Sequence, residues 1–336
     1  MNEEMPKYIC TAGPSTTSKD ILKKMYEHGM SHIRFNMSYR LDYYEDIVKN
    51  VHELNDEGCK IGIICDLAGT EMRTTNTEEI KVHKGQKIVI GKDFSFDQGD
   101  LSLLKVGEQI YIRDGRVVLT VEKFEDGLLY CNCESDDVIN VNGNTFNKTI
   151  YDNLKFISNK DELNLQDAIR YKADYIAVSH VRTAKNLDEI NDYLKERNSS
   201  IRLISKIESP QSVENLDEII DKSDGIMIAR GDLGKILPIE DLGYNQKIIT
   251  EKTLKAGKYL MSATDYLFSL IEPTTPTRAE IVDLFTAYED GIRNIMFTKE
   301  ISLSKDPIFL LDMATKVFNS YLKYEKERVK WLKKQL

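Results

Sequence analysis

The chain has 336 residues, 46 Lys and Arg against 55 Asp and Glu, a formal net charge of −9 and 41% hydrophobic residues. Ordinary apolar content, broken by only 7 prolines and 18 glycines, excludes a disordered chain. The acidic balance argues against nucleic acid or an anionic membrane as partner, while leaving room for a local basic pocket. No run of 18 apolar residues marks a membrane span, and the start MNEEMPKYIC lacks the apolar core of a signal peptide, so a cytoplasmic protein is expected. The cysteines (Cys10, Cys59, Cys65, Cys131, Cys133) are odd in number and lie mostly in apolar runs. They read as reduced, buried thiols.

In chain order, eight short β-branched runs read as strands: Lys7–Ala12, His32–Ser38, Lys60–Leu67, Tyr175–Val181, Arg202–Ser209, Gly225–Leu233, Tyr259–Asp265 and Asn294–Glu300. Amphipathic helical patterns separate them, and a long helical tail starts near Pro307. After the first strand, Ile21, Leu22, Met25 and Met30 recur at helical spacing, with Thr17 and Asp20 as a capping box. A second box, Ser158 with Asp161, opens a helix over 161–172. Eight β-then-α units predict an α/β protein with a closed (β/α)8 (TIM) barrel. A doubly wound open sheet is the alternative; it is disfavoured because no G-x-G-x-x-G turn follows the first strand.

One stretch breaks the alternation. From about Asn76 to Asn147 the pattern is strand, turn, strand, with Asp114-Gly115 and Asp126-Gly127 as hairpin turns. This predicts a β-rich lid domain over 76–147, inserted into a barrel built from 1–75 and 148–336. Its place after the third strand puts it above the carboxyl face of the barrel.

The strand ends carry unexpected polarity: Arg34-x-Asn36-x-Ser38, Asp66, Lys206-x-Glu208, Arg230-Gly-Asp232, Thr264 and Glu300. Alternation places i and i+2 on one face, so these groups converge where barrel enzymes keep their sites. Glu208 and Asp232 are hard oxygen ligands suited to Mg²⁺. Lys206 suits a phosphoryl group or an enolate, and with Arg34 and Arg73 it implies an anionic substrate. Any one of these alone is as well explained by an ordinary surface ion pair; their origin in six strands favours a shared site. Cys131-x-Cys133 has no second pair and reads as packing on a hairpin strand rather than as metal ligation. His180, closing the fourth strand, reads equally well as packed or as reaching the site.

Taken together, CTAGPS, IRFNMS, CDLAGTEMRT, ISKIES, SDGIMIARGDLG, AGKYLMSAT and PTRAE, in this order, resemble the pyruvate kinase family across nearly the whole chain. The resemblance implies a barrel with an inserted β-barrel lid and phosphoryl transfer between phosphoenolpyruvate and a nucleoside diphosphate, giving pyruvate. It assigns Glu208 and Asp232 to Mg²⁺, and the backbone of Ala229, Arg230, Gly231 and Asp232 to the substrate carboxylate. Lys206 falls to the phosphoryl group, Arg34 and Arg73 to phosphate, and Thr264 to the enolate face that receives a proton. Asn36, Ser38 and Asp66 match the K⁺ ligands, and Glu71 the glutamate of K⁺-requiring members. Partners are then phosphoenolpyruvate and pyruvate, with ADP/ATP as acceptor pair left open and a homo-oligomer through the barrel allowed.

The departures fall on the acceptor side. The family's D-T-K-G-P-E-I-R-T reads here Asp66-Leu67-Ala68-Gly69-Thr70-Glu71-Met72-Arg73-Thr74. S-G-E-T-A-K-G is replaced by Thr298-Lys299-Glu300-Ile301-Ser302-Leu303-Ser304, and the lid's K-K-G-V-N-L-P-G by residues 141–148, again without its lysines. The histidine after the second-strand serine is Tyr39. Lost lysines weaken phosphate binding, so ADP as acceptor is open, with Lys299 as a replacement charge. The family's C-terminal regulatory domain is not expected. Two alternatives remain: an Mg²⁺-dependent enolate enzyme with another acceptor or lyase chemistry, and a non-catalytic phosphoenolpyruvate-binding relative.

Overall fold

The structure is a computed structural model and describes residues 5–39, 41–69, 72–113, 115–272 and 274–333. Glu71 and Asp114, both singled out in the sequence, lie outside the described residues. The chain forms two compact units, Met1–Gly69 with Asn159–Leu336, and Thr70–Ser158.

The first unit is a closed barrel of eight parallel strands in sequential order. They are β1 (Lys7–Thr11), β2 (Met30–Asn36), β3 (Gly62–Asp66), β4 (Tyr175–Val178), β5 (Arg202–Ile207), β6 (Gly225–Ala229), β7 (Tyr259–Ala263) and β8 (Asn294–Phe297). β8 closes on β1 with Lys7 opposite Asn294 and Cys10 opposite Phe297. The interior is an apolar cluster drawn from seven of the strands: Ile9, Ile64, Ala177, Ile204, Met227, Met261 and Met296, with Tyr175 and Ala263 two positions along β4 and β7. The eight predicted strands are all present, and each ends earlier than the sequence suggests.

The helices α1 (Lys19–Glu27), α2 (Tyr44–Asp56), α3 (Asn159–Arg170), α4 (Ala184–Glu196), α5 (Leu216–Lys222), α6 (Arg230–Ile236), α7 (Leu242–Lys255), α8 (Arg278–Glu289), α9 (Lys299–Ser302) and α10 (Pro307–Lys333) follow the strands. The N-cap of α1 is Ser18, whose side chain accepts from Ile21 N, not the expected Thr17. Ser18 alone has extended backbone with its oxygen over the first turn. α3 starts at Asn159, two residues before the predicted Asp161. Among the described residues no helix is long and apolar enough to cross a membrane.

The second unit is a six-stranded sheet with a separate two-stranded ribbon. Strands Val117–Glu125 and Leu128–Cys133 join through Asp126 (φ 50°) and Gly127 (φ 78°), the paired positive φ of a two-residue hairpin turn. The other predicted turn is longer, since Ile112 pairs with Val117 around it. Leu129, Cys131 and Cys133 alternate into the unit's apolar core beside Ile88 and Ile90. That placement makes both cysteines packing residues, and all five cysteines are unpaired among the described residues. The unit is wider than the 76–147 read from the sequence because Met72 and Ile150, which flank the hairpins, are buried in the same core.

Candidate functional site

The site arises where the inward alternation of the barrel strands turns polar. Two positions beyond Ile64 stands Asp66, beyond Ala177 stands Ser179, and beyond Ile204 stands Lys206. From β2, Arg34 donates through Nε and Nη2 to Asp66 Oδ2, at 3.0 and 2.6 Å, and through Nη1 to Thr11 Oγ1 at 3.3 Å. Lys206 Nζ lies 3.2 Å from Asp66 Oδ1 and 3.2 Å from Glu208 Oε2. It also donates to Ser179 Oγ at 2.6 Å, and that hydroxyl donates to Leu67 O at 2.8 Å. Two cations thus share one buried carboxylate.

The electrostatics follow from the geometry. Burial by itself raises the Asp66 carboxyl, but Lys206 and Arg34 outweigh it and hold the group below its ordinary value. Burial by itself lowers Lys206; Asp66, Glu208 and Asp232 reverse that and keep the ammonium charged. Glu208, 1% exposed, follows β5 directly. Its Oε1 accepts the backbone N–H of His180 at 2.6 Å, and its own N–H donates to Ser212 Oγ. Oε2 is buried and, although close to Lys206, accepts no well-directed hydrogen bond. His180 meets the site mainly through its backbone, at φ 56°, with Nδ1 3.5 Å from Glu208 Oε1.

Across the barrel, β7 ends at Ala263 and Thr264 turns to φ 83°. A β-branched residue in that region is strained, and such strain collects at functional sites. Thr264 packs on Gly231, where an added Cβ would stand 2.9 Å from Thr264 Cγ2. Arg230, Gly231 and Asp232 are not on a strand as expected. β6 stops at Ala229, and these residues form the first turn of α6. The alternation argument therefore fails for Arg230 and Asp232. Arg230 instead turns outward to Asp283, while Asp232 sits close enough to Lys206 to favour its charge. Glu300 is likewise inside α9, fully buried, with burial raising its carboxyl above the ordinary value.

Asn36 and Asp66 are direct register partners on β2 and β3, and Asn36 Oδ1 accepts from Ser38 N at 3.2 Å. Their oxygens are brought to one edge of the barrel. Arg73 belongs to the second unit, where Nη1 donates to Asn142 O at 3.0 Å. Sequence reasoning missed Thr11, Ser179 and Asp283. Continuing the period from Tyr175 through Ala177 points to Ser179; nothing local marks Asp283, which acts from a helix.

The chain matches the model of the pyruvate kinase barrel domain over residues 4–308. The chain belongs to the pyruvate kinase family. It is 36% identical over 330 residues to a pyruvate kinase of Dictyostelium discoideum, covering 93% of this chain and 65% of that one. It is 31% identical over 314 residues to the pyruvate kinase of Thermoplasma acidophilum, covering 90% and 55%. A solved pyruvate kinase of Cryptosporidium parvum superimposes with TM-score 0.83 at 30% identity, covering 93% of this chain and 68% of that one. The chain therefore spans a little over half to two thirds of the length of these relatives.

Proposed function

We propose that the protein transfers a phosphoryl group between phosphoenolpyruvate and a nucleoside diphosphate, with pyruvate as the other product. The observation that carries this reading is Lys206, an ammonium kept charged between Asp66 and Glu208 at 3.2 Å from each. Phosphoryl transfer runs through a loose, anionic transition state, and fixed cations are its main stabilisers. In the reaction the bond from phosphorus to the enol oxygen breaks. A bond to the acceptor's terminal phosphate oxygen forms, and the enolate takes a proton at its methylene carbon.

The roles divide among the residues described. Lys206 faces the phosphoryl group in transit. Arg34, anchored on Asp66 and Thr11, supplies a second oriented charge, and the family resemblance assigns Arg73, on the second unit, to phosphate as well. Backbone N–H groups of Ala229–Asp232 orient the substrate carboxylate, and Gly231 leaves room for Thr264. Thr264 serves the proton transfer.

Glu208 and Asp232 fit a divalent cation. Both are hard oxygen donors, Glu208 Oε2 is a buried acceptor that receives no hydrogen bond, and Mg²⁺ is commonly held by two carboxylates plus substrate oxygens. Among the described residues no three His, Cys, Asp or Glu side chains gather into a fuller cage. Such an ion would supply electrostatic stabilisation of charge on the substrate oxygens. Asn36, Ser38 and Asp66 offer the oxygen set for K⁺.

The test is pyruvate formation from phosphoenolpyruvate over a panel of nucleoside diphosphates with Mg²⁺ and K⁺. Lys206→Met is expected to lower kcat by roughly 10³-fold, as for loss of a preorganised charge. No turnover by the natural chain with any diphosphate defeats the reading. The altered segment from Thr298 to Ser304 favours a second acceptor class; in that case deuterium still enters the pyruvate methyl group, Glu208→Ala abolishes the exchange, and no nucleoside diphosphate supports turnover.

A further inference from the structure

Arg230 lies in the motif of the substrate-binding turn, yet its side chain is spent elsewhere. Nη1 donates to both carboxylate oxygens of Asp283 at 2.9 Å. Nε and Nη2 donate to the carbonyl oxygen of Thr264 at 3.1 and 2.6 Å. The guanidinium plane also stands 3.7 Å over the Tyr266 ring, and the Arg230 side chain is 11% exposed. A planar fork with all three nitrogens bonded and one face stacked has one orientation. That orientation is aimed at the backbone of Thr264, a β-branched residue of the site held at φ 83°.

The adjoining chain explains why a clamp is needed. Asp265 (φ 61°) and Leu267 (φ 55°) are also left-handed, so three of four consecutive residues from Thr264 are in a region that non-glycine residues avoid. Each costs of order 1 kcal/mol or more and persists only when its surroundings impose it. Relaxing Thr264 to negative φ would swing its carbonyl away and move its side chain off Gly231. Gly231 tolerates the present position because it lacks a Cβ, which restrains Thr264 from one side only. Among the described residues, the carbonyl accepts its hydrogen bonds from Arg230 alone.

We infer that Arg230, locked by Asp283 and Tyr266, is a positioning residue that holds Thr264 in its left-handed conformation and so sets the place of its hydroxyl. The inference rests on the proposed role of Thr264 in proton transfer. It separates two jobs within one turn: the backbone of residues 229–232 serves the substrate, and the Arg230 side chain serves the proton donor. Asp283, on α8, belongs to the site through Arg230 without touching substrate.

The test uses the full chain with Arg230→Met, Arg230→Lys and Asp283→Asn. A crystal structure of Arg230→Met is expected to show Thr264 at negative φ; retention near 83° overturns the inference. Solvent deuterium exchange into the pyruvate methyl group is expected to fall on the order of 10²-fold in Arg230→Met, as for an angstrom-scale misplacement. The KM for phosphoenolpyruvate should change little. In a Thr264→Ala background the Arg230→Met effect should disappear, because the arginine acts only through that threonine. Additive losses in the double variant overturn the inference, as does a rise in KM with kcat unchanged. Arg230→Lys cannot span Asp283 and Thr264 in one plane and should not rescue. Absence of exchange in the natural chain instead defeats the functional reading, and the φ of Thr264 in Arg230→Met still decides the positioning.

Discussion

His32 sits near the start of β2, away from the charged groups at the carboxyl ends, and shows how burial sets a residue's protonation. Its ring packs 5.8 Å from that of Tyr175, and Nδ1 bonds with Ser31 Oγ at 2.9 Å. Burial lowers it to about 4, with Lys7 and Arg202 adding to the effect and Asp174 opposing it. The folded chain therefore keeps this imidazole neutral where the unfolded chain binds a proton, between about pH 6.5 and 4. In that window stability rises with pH; the contribution is complete above 6.5 and is lost as pH falls toward 4. A shift of this size corresponds to on the order of 3 kcal/mol. His32→Gln is expected to remove most of the difference in unfolding free energy between pH 7 and pH 4.5, measured by urea titration. Parallel stability curves for the two proteins would exclude His32 as the titrating group. Asp66, also held below its ordinary value, follows the same sign at lower pH: its share is present above the pKa of free aspartate and is lost as pH falls below it, outside most of this window.

At the scale of elements, the turns that follow strands decide what was legible in the sequence. Eight strands and the inward alternation of Arg34, Asp66 and Lys206 follow from periodicity. The end of β6 does not, because Arg230-Gly-Asp-Leu-Gly contains two glycines and no helix signal, yet enters α6. The end of β8 is similar: Thr298, Lys299 and Glu300 continue a polar alternation on paper but turn into α9 after Phe297. The cause is tertiary, and it lies in the loop after β1. Gly13 meets α9 so closely that a Cβ there would stand 2.4 Å from Ser302 Cβ and 2.7 Å from Ser302 O. Ser15 Oγ donates to Ile301 O at 2.6 Å, and Thr298 Oγ1 to Glu300 Oε2 at 2.7 Å. α9 is thus docked on the β1 loop. Gly13→Ala forces the two apart and is expected to cost about 1–3 kcal/mol, the usual range for overpacking. The denaturation midpoint reads this directly. Ser302→Gly in the same chain should recover part of the loss, since it removes the Cβ but leaves the carbonyl. An unchanged midpoint in Gly13→Ala would show that the close approach is not structural.

For the whole molecule, the division into two units is a statement about where apolar surface is buried. The core of Thr70–Ser158 is drawn from its own residues, from Met72 to Ile150, and the barrel interior draws on none of them. The sequence disclosed this division as a switch from helical to two-residue periodicity, but not its width, since Met72 and Ile150 stand outside the hairpin pattern. The two ends left in the barrel unit are tied: Gly69 N donates to Asp161 Oδ1 at 3.0 Å. A Gly/Ser link of about four residues from Gly69 to Asn159 therefore closes a short loop in place of a folded insertion, at a small entropic cost. The excised chain is expected to keep a cooperative thermal transition and helical far-UV dichroism. Arg34, Lys206, Glu208, Asp232 and Thr264 all remain, whereas Arg73 is removed with the β unit. On the proposed function, deuterium exchange into pyruvate should therefore survive excision while phosphoryl transfer from phosphoenolpyruvate falls by orders of magnitude. Loss of both together, in a chain that still melts cooperatively, would show that enolate chemistry also needs the β unit. A chain that no longer melts cooperatively would show that the barrel depends on the insertion for its stability, against the separation of the two cores.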